Sequence, residues 1–109
     1  MVKVVEKNIP LIIELCKKHN LKSLYLFGSA TNAKYFNEKS DIDFLYEYDL
    51  KNYPDWDKGD FDIVANFFVL KEKLEEMLGR NVDLIPNKLR NPYLIESVEK
   101  SKKLIYARS

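Results

Sequence analysis

The sequence predicts an α/β (α+β) fold, in which a small mixed sheet of about three strands is flanked by helices. Segments with helical spacing of apolar residues alternate with short apolar runs, in the order α-β-α-β-α-β-α. This alternation is typical of helices packed against a sheet. The chain has 109 residues, of which 46% are hydrophobic. This length and composition predict one globular domain over residues 1–109.

The first half of the chain is predicted to contain two helices and two strands. Apolar residues at helical spacing predict a helix over residues 5–19, and Pro10 either bends it or lies in its first turn. The apolar run at 23–27 ends at a glycine and predicts a strand. Small residues at 28–36 predict a short helix, and the alternating aromatic and branched residues at 41–48 predict a second strand.

The second half is predicted to contain a loop, a helix, a strand and a final helix, at residues 49–59, Phe61–Leu78, 81–85 and 91–106. The loop is polar and contains proline and glycine. The long helix has Asp60 as a plausible cap and Gly79 as its stop. Pro92 lies near the first turn of the final helix, where proline is tolerated.

Charge and cysteine content narrow the class of protein. The formal net charge is +1, which does not indicate direct binding to nucleic acid or membrane. Cys16 is the single cysteine, so the chain forms no internal disulfide. The first twenty residues lack the long apolar stretch and cleavage site of a signal peptide. We therefore expect a cytoplasmic protein.

Asp41 and Asp43 open the second predicted strand and are one residue apart. Alternate side chains of a strand share a face, so both carboxylates point the same way while Ile42 and Phe44 point into the core. Two like charges this close repel each other unless a positive group lies between them. Hard oxygen ligands suit Mg²⁺, so the pattern predicts a magnesium site.

Asp83 is a candidate for a third acid in the same site. It is flanked by Val82 and Leu84 in a short apolar strand, where a lone acid is a poor choice for packing. If strands two and three are neighbours, Asp83 lies beside Asp41 and Asp43. Three such carboxylates can hold two metal ions for an in-line displacement at phosphorus, which makes them the candidate catalytic residues.

Gly28 and Ser29 follow the first strand and form a candidate phosphate site. A strand that ends in glycine and opens into a helix presents backbone N–H groups to an anion. The serine adds a hydroxyl group. The predicted substrate is a nucleoside triphosphate, whose phosphates would lie between this turn and the metal ions.

Other polar residues have structural explanations that we prefer. Asp60 and Asp62 form a second Asp-x-Asp, but they lie at a helix start, where acids favour the helix dipole and capping. His19 lies at a predicted helix end, and Cys16 is assigned to the core.

At these residues the sequence resembles the nucleotidyltransferases of the DNA polymerase beta superfamily, whose signature is Gly-Ser, a spacer and Asp-x-Asp. It is most similar to the minimal nucleotidyltransferases, the MNT group, over "LYLFGS", "SDIDFL" and nearly the whole chain. The resemblance implies the polymerase beta palm fold. It maps the metal-binding acids onto Asp41, Asp43 and Asp83, and the nucleotide-binding Gly-Ser onto Gly28 and Ser29.

The resemblance also implies a partner. Minimal members usually pair with a HEPN-domain toxin, and transfer of AMP from ATP to a tyrosine of the toxin neutralises it. Larger relatives append a further domain that holds the acceptor. This chain shows no such segment, so the resemblance implies that a partner protein supplies the acceptor.

One departure from the family pattern keeps a second function open. Many minimal members carry Arg-Gly after Gly-Ser, whereas Asn32 and Ala33 stand here, and Lys34, one residue further on, is the candidate to substitute for the arginine. Arginine binds phosphate through two N–H groups, so its loss weakens the case for fast catalysis. The alternative is an antitoxin that masks its partner by contact. A small-molecule nucleotidylating enzyme is a third, less favoured hypothesis.

Overall fold

A computed structural model describes the backbone of residues 1–49 and 61–108, and the side chains of all of these except Phe61 and Asp62. In chain order its elements are α1 Lys3–Glu6, α2 Ile9–Lys18, β1 Leu21–Phe27, β2 Ile42–Tyr48, α3 Phe61–Leu78, β3 Val82–Pro86, α4 Pro92–Ser101 and β4 Lys103–Ala107. The predicted α/β class is confirmed. Residues 50–59 of the predicted loop and the predicted cap Asp60 lie outside the described residues.

The four strands form one sheet in the order β3-β2-β1-β4. Strands β2 and β3 are parallel, whereas β1 runs antiparallel to both β2 and β4. The expected pairing of the second and third strands is therefore confirmed. It places the start of β2 between the end of β1 and the start of β3.

The C-terminal strand β4 corrects the prediction of one helix over residues 91–106. Helix α4 ends at Ser101, Lys102 is extended (φ −59°, ψ 139°), and the following residues pair with β1. The open edge of β1 offers backbone hydrogen-bond partners, which no local pattern reveals. Ile105 is 8% exposed and faces the core, whereas Leu104 is 55% exposed. The described residues thus form a sheet of four strands rather than about three.

The predicted N-terminal helix over residues 5–19 is in fact two helices, α1 and α2. Asn8 is not helical (φ −105°, ψ 4°), and Pro10 lies in the first turn of α2. Proline has no N–H group and its ring clashes with the carbonyl four residues earlier, so one continuous helix is unfavourable here.

The segment after β1 also differs from its prediction as a short helix over residues 28–36. Only Gly28–Thr31 is helical, as a 3-10 turn, and residues 32–41 form irregular turns. By contrast, the bounds of α3 are as predicted. Gly79 ends this helix with φ +66°, and its N–H donates to the carbonyl of Glu75 at 2.8 Å.

The two faces of the sheet have different packing. Helices α1, α2 and α3 cover one face and form the main core with its strands. On the other face Val98 of α4 packs against Phe27 and Leu45. Of the described helices, none has the length and apolarity to cross a membrane.

Candidate active site

Asp43 of β2 lies directly opposite Asp83 of β3 in the parallel register. Ile42 and Phe44 are fully buried in the main core, so alternation turns Asp43 to the other face, the one that α4 partly covers. The chain neighbours of Asp83 are likewise buried while Asp83 itself is exposed. The alternation of side chains along each strand thus brings the two acids together at the beginnings of β2 and β3.

The electrostatics of this pair indicate a place for a cation. The pKa of Asp43 is raised to about 6, mainly by burial and then by the charge of Asp83, a hydrogen bond with Asp83 and the charge of Asp41. A hydrogen bond between two carboxyl groups requires a shared proton. A bound metal ion would replace that proton and favour both ionised forms.

Asp41 immediately precedes β2 and is exposed. It is close enough to Asp43 to raise the pKa of that group. Within residues 1–49 and 63–108, however, no three acidic, histidine or cysteine side chains are gathered into a ready-made metal cage. The structure therefore brings Asp43 and Asp83 into contact and leaves Asp41 at the rim of the site.

Gly28 lies against the Asp43 carboxylate, and only glycine fits there. Its φ is +74°, and a Cβ at this position would lie 2.7 Å from Oδ2 of Asp43. The carbonyl of Gly28 accepts a hydrogen bond from the Thr31 hydroxyl at 2.7 Å, and its N–H donates to Oγ of Ser101 at 3.2 Å. The Gly-Ser turn is thus fixed to the acidic pair on one side and to α4 on the other.

A cavity of about 700 Å³ opens beside Gly28 and Ser29. Its lining is rich in hydroxyl and ammonium groups, which come from Ser29, Thr31, Ser97, Ser101, Lys100 and Lys103. An ammonium and hydroxyl lining of this kind suits phosphate oxygens. The chemistry of the cavity therefore matches the substrate expected from Gly28 and Ser29.

The lysines in this cavity differ from the one that the sequence suggested. Lys34 does not line it, and its ammonium group lies 5.8 Å from the ring centre of Tyr35. Lys100 and Lys103 come from α4 and β4, about 70 residues further along the chain, and no motif marks them. The pairing of β4 with β1 brings Lys103 next to Gly28, and the packing of α4 against Phe27 with the Gly28–Ser101 hydrogen bond brings Lys100 there.

A second cavity, of about 550 Å³, lies on the Asp41 side of the site. Asp41, Glu75 and Arg80 are among its lining residues. Arg80 is a functional candidate that the sequence did not indicate. It occupies the short connection between α3 and β3, where a basic residue is unremarkable.

Cys16 lies in the core and His19 at the C-terminal end of α2, as expected for each. The N-δ1 atom of His19 is hydrogen-bonded to the Asn66 side chain, and Nδ2 of Asn66 donates to the His19 carbonyl at 2.9 Å. Burial raises the pKa of Cys16 to about 12. Both residues have structural roles. The side chain of Asp62 lies outside the described residues.

Comparison with known proteins finds relatives over most of the chain. Residues 11–109 match the polymerase beta nucleotidyltransferase family. A protein of Methanocaldococcus jannaschii, provisionally named a protein adenylyltransferase, is 40% identical over 90 residues, which are 82% of this chain and 79% of that protein. A crystal structure of a toxin–antitoxin complex with AMP-PNP contains a chain with 26% identity and a TM-score of 0.62, over 93% of this chain and 74% of that one.

A second solved structure shares the fold. It is the complex of a tri-AMPylated HEPN toxin of Shewanella oneidensis with an MNT antitoxin, at 24% identity and a TM-score of 0.56, over 94% of this chain and 72% of that chain. The family match spans residues 11–109, a range that contains Gly28, Asp43 and Asp83. The chain therefore belongs to the polymerase beta nucleotidyltransferase family.

Proposed function

We propose that this chain transfers AMP from ATP to a side chain of a partner protein, with Mg²⁺, and is the antitoxin of a HEPN/MNT pair. The observation that carries the proposal is the contact of Asp43 with both Asp83 and Gly28, beside a cavity of serines and lysines. The carboxylates of Asp43 and Asp83, which suit a metal cation, are therefore next to serines and lysines that suit phosphate oxygens.

The carboxylates of Asp41, Asp43 and Asp83 suit Mg²⁺ and would together hold two ions. Two facing carboxyl groups need a proton or a metal ion between them, and carboxylate oxygens are preferred magnesium ligands. Asp41 supplies the third carboxylate from the rim. When bound, the ions stabilise negative charge on the transferred phosphoryl group.

The serines and lysines that line the cavity beside Gly28 suit the phosphates of ATP. The Ser29 hydroxyl can donate to a phosphate oxygen, and Lys100 and Lys103 offset the phosphate charge. Because the Asp43 carboxylate lies against Gly28 and the Gly28 N–H donates to Ser101 Oγ, the phosphate contacts fall to the hydroxyl and ammonium groups of the cavity. In the reaction an acceptor hydroxyl oxygen bonds to the α-phosphorus, the bond to the pyrophosphate oxygen breaks, and the hydroxyl proton is released.

A protein acceptor is supported by the relatives rather than by a pocket of this chain. The M. jannaschii relative is named for protein adenylylation, and the two solved structures are toxin–antitoxin complexes, one with AMP-PNP and one with an AMPylated HEPN toxin. We infer a HEPN-domain partner and a cytoplasmic setting, where ATP is available and Cys16 stays reduced.

The alternative function is an antitoxin that acts by contact, with a weak or inactive site. Asn32 and Ala33 at the Arg-Gly positions favour it, and so does the rim position of Asp41. Against it stands Lys103, which lines the cavity beside Gly28 and supplies positive charge without that arginine. Lys100 also lines the cavity but is in an ion pair with Glu96 at 2.9 Å.

The test uses ATP labelled at the α-phosphate, Mg²⁺, this chain and its partner protein. The double variant Asp41→Asn/Asp43→Asn is compared with Asp49→Asn, an acid near the opposite end of β2. We expect label on the partner with wild-type chain and Asp49→Asn, and none with the double variant. A stable complex without label would favour the contact-only antitoxin.

A further inference from the structure

We infer that Arg80 is a positioning residue, which fastens the turn before Asp41 to the start of β3 and so sets where Asp41 meets the metal site. The inference rests on the proposed function, because Asp41 matters in this way only as a metal ligand. It concerns a residue outside the acidic cluster and outside the Gly-Ser turn.

The guanidinium group of Arg80 holds the turn by its backbone. Its Nη1 atom donates to the carbonyl of Asn37 at 2.7 Å and to the carbonyl of Ser40 at 3.2 Å. Ser40 is the residue directly before Asp41. These bonds therefore fix the peptide from which the Asp41 side chain projects.

A ring contact holds the same segment from a second direction. The Cζ atom of Arg80 lies 4.4 Å from the centre of the Phe36 ring, at a distance typical of a cation–π contact. A planar guanidinium can lie on a ring and donate along its edge at the same time. Lysine can do one of these well but not both.

The turn itself is closed by short-range hydrogen bonds. The N–H of Ser40 donates to the Asn37 carbonyl at 3.0 Å, and the N–H of Asn37 donates to the Ser40 hydroxyl at 3.0 Å. These two bonds tie residues 37 and 40 to each other. Arg80 then bonds both of them to the connection between α3 and β3.

Arg80 also links the two chain segments that carry the candidate ligands. It is three residues before Asp83, and the next residue, Asn81, accepts the N–H of Ile42 at 3.0 Å. Residues on both sides of Asp41 are thus bonded to the segment that leads into Asp83. This fixes the spacing of two acids that are distant in sequence.

The guanidinium binds carbonyl groups and leaves the carboxylates available. Arg80 and Asp41 line the same cavity, yet none of the ion pairs of the described residues involves either of them. A group that served only to neutralise Asp41 would pair with it. Arg80 instead holds the backbone next to Asp41 and leaves the Asp41 carboxylate available to a metal ion.

Mn²⁺ binding tests the inference, measured by electron paramagnetic resonance with AMP-PNP present. We expect Arg80→Ala to weaken Mn²⁺ binding about 10-fold, the usual effect of losing a group that orients a ligand. Arg80→Lys should recover part of this loss. Arg108→Ala is the control, because Arg108 pairs with Asp49, near the opposite end of β2 from Asp43. It should bind like wild type.

The possible outcomes distinguish the positioning role of Arg80 from the existence of the metal site. Equal Mn²⁺ binding by wild type and folded Arg80→Ala would overturn the role of Arg80 and leave the metal site standing. If Arg80→Ala does not fold, wild-type affinity in Arg80→Lys would overturn the role equally. Wild-type chain that binds no Mn²⁺ would overturn the metal site, and the role of Arg80 with it. Partial recovery of AMP transfer at high Mg²⁺ in Arg80→Ala would support positioning.

Discussion

Replacing Asp43 by Asn should stabilise the metal-free protein at pH 8, although the residue belongs to the candidate active site. The pKa of Asp43 in the folded chain is about 6 against an ordinary value of 3.8, with burial as the main cause and Asp83 as the next. Folding therefore favours the protonated form. The stability that this proton contributes is complete below the unfolded pKa and is lost as the pH rises through about 6.

The magnitude follows from the two pKa values. A difference of about 2 pKa units corresponds to about 3 kcal/mol in the free energy of unfolding. Asp43 is half-buried, and solvent screening lowers the effect, so we expect about 1–3 kcal/mol at pH 8. Near pH 4 the folded form already holds the proton. The advantage of the Asn variant should then fall to well under about 1 kcal/mol.

Urea unfolding with a chelator present, at pH 8 and at pH 4, measures this difference. Asp49→Asn is the matched control, because Asp49 lies just after the far end of β2 and its carboxylate is in an ion pair with Arg108 at 2.9 Å. The control should gain no stability at pH 8. An Asp43→Asn variant that is no more stable than wild type at pH 8 would refute the charge-repulsion reasoning.

Three further predictions follow from the packing. Gly28→Ala puts a Cβ 2.7 Å from a carboxylate oxygen of Asp43 at φ +74°. It should lower the free energy of unfolding by about 1–3 kcal/mol and abolish AMP transfer. Gly79→Ala, at φ +66° with open space around it, should lower it by about 1 kcal/mol and leave AMP transfer intact. Urea unfolding and the labelled-ATP assay measure both. Lys103→Ala should raise the Kd for AMP-PNP about 10-fold in calorimetry while Lys34→Ala should not, and equal values would contradict the phosphate role of the cavity. Ile105→Ala should cost about 2–4 kcal/mol in urea unfolding, and a cost near zero would contradict its burial in β4.

The placement of Asp43 and Asp83 was accessible to sequence reasoning because a strand alternates its side chains. Each acid has apolar neighbours that must be buried, so each acid must face the opposite side of the sheet. The bounds of α3 were accessible for a similar reason, since its apolar residues repeat at helical spacing and Gly79 stops the helix. These are properties of short stretches and need no knowledge of what packs against them.

Strand β4 could not be predicted from the sequence, because the pattern of residues 103–107 suits either a helix or an edge strand. The free edge of β1 decides for the strand by providing hydrogen-bond partners. The same pairing carries Lys103 to the Gly-Ser turn, so the cations of the cavity also depend on it. The notion that Lys34 replaces a missing arginine came from nearness in sequence, which is a poor guide to nearness in space.

The sequence by itself determined the α/β class, the acids and the Gly-Ser turn, because burial patterns and glycine requirements act over a few residues. The tertiary structure alone decided which acids touch, which lysines reach the turn and which residue holds Asp41 in place. Asp43 meets Asp83 through strand register, and Arg80 meets Ser40 across about 40 residues of chain. Contacts of this kind arise from packing between distant segments, and a local pattern carries no record of them.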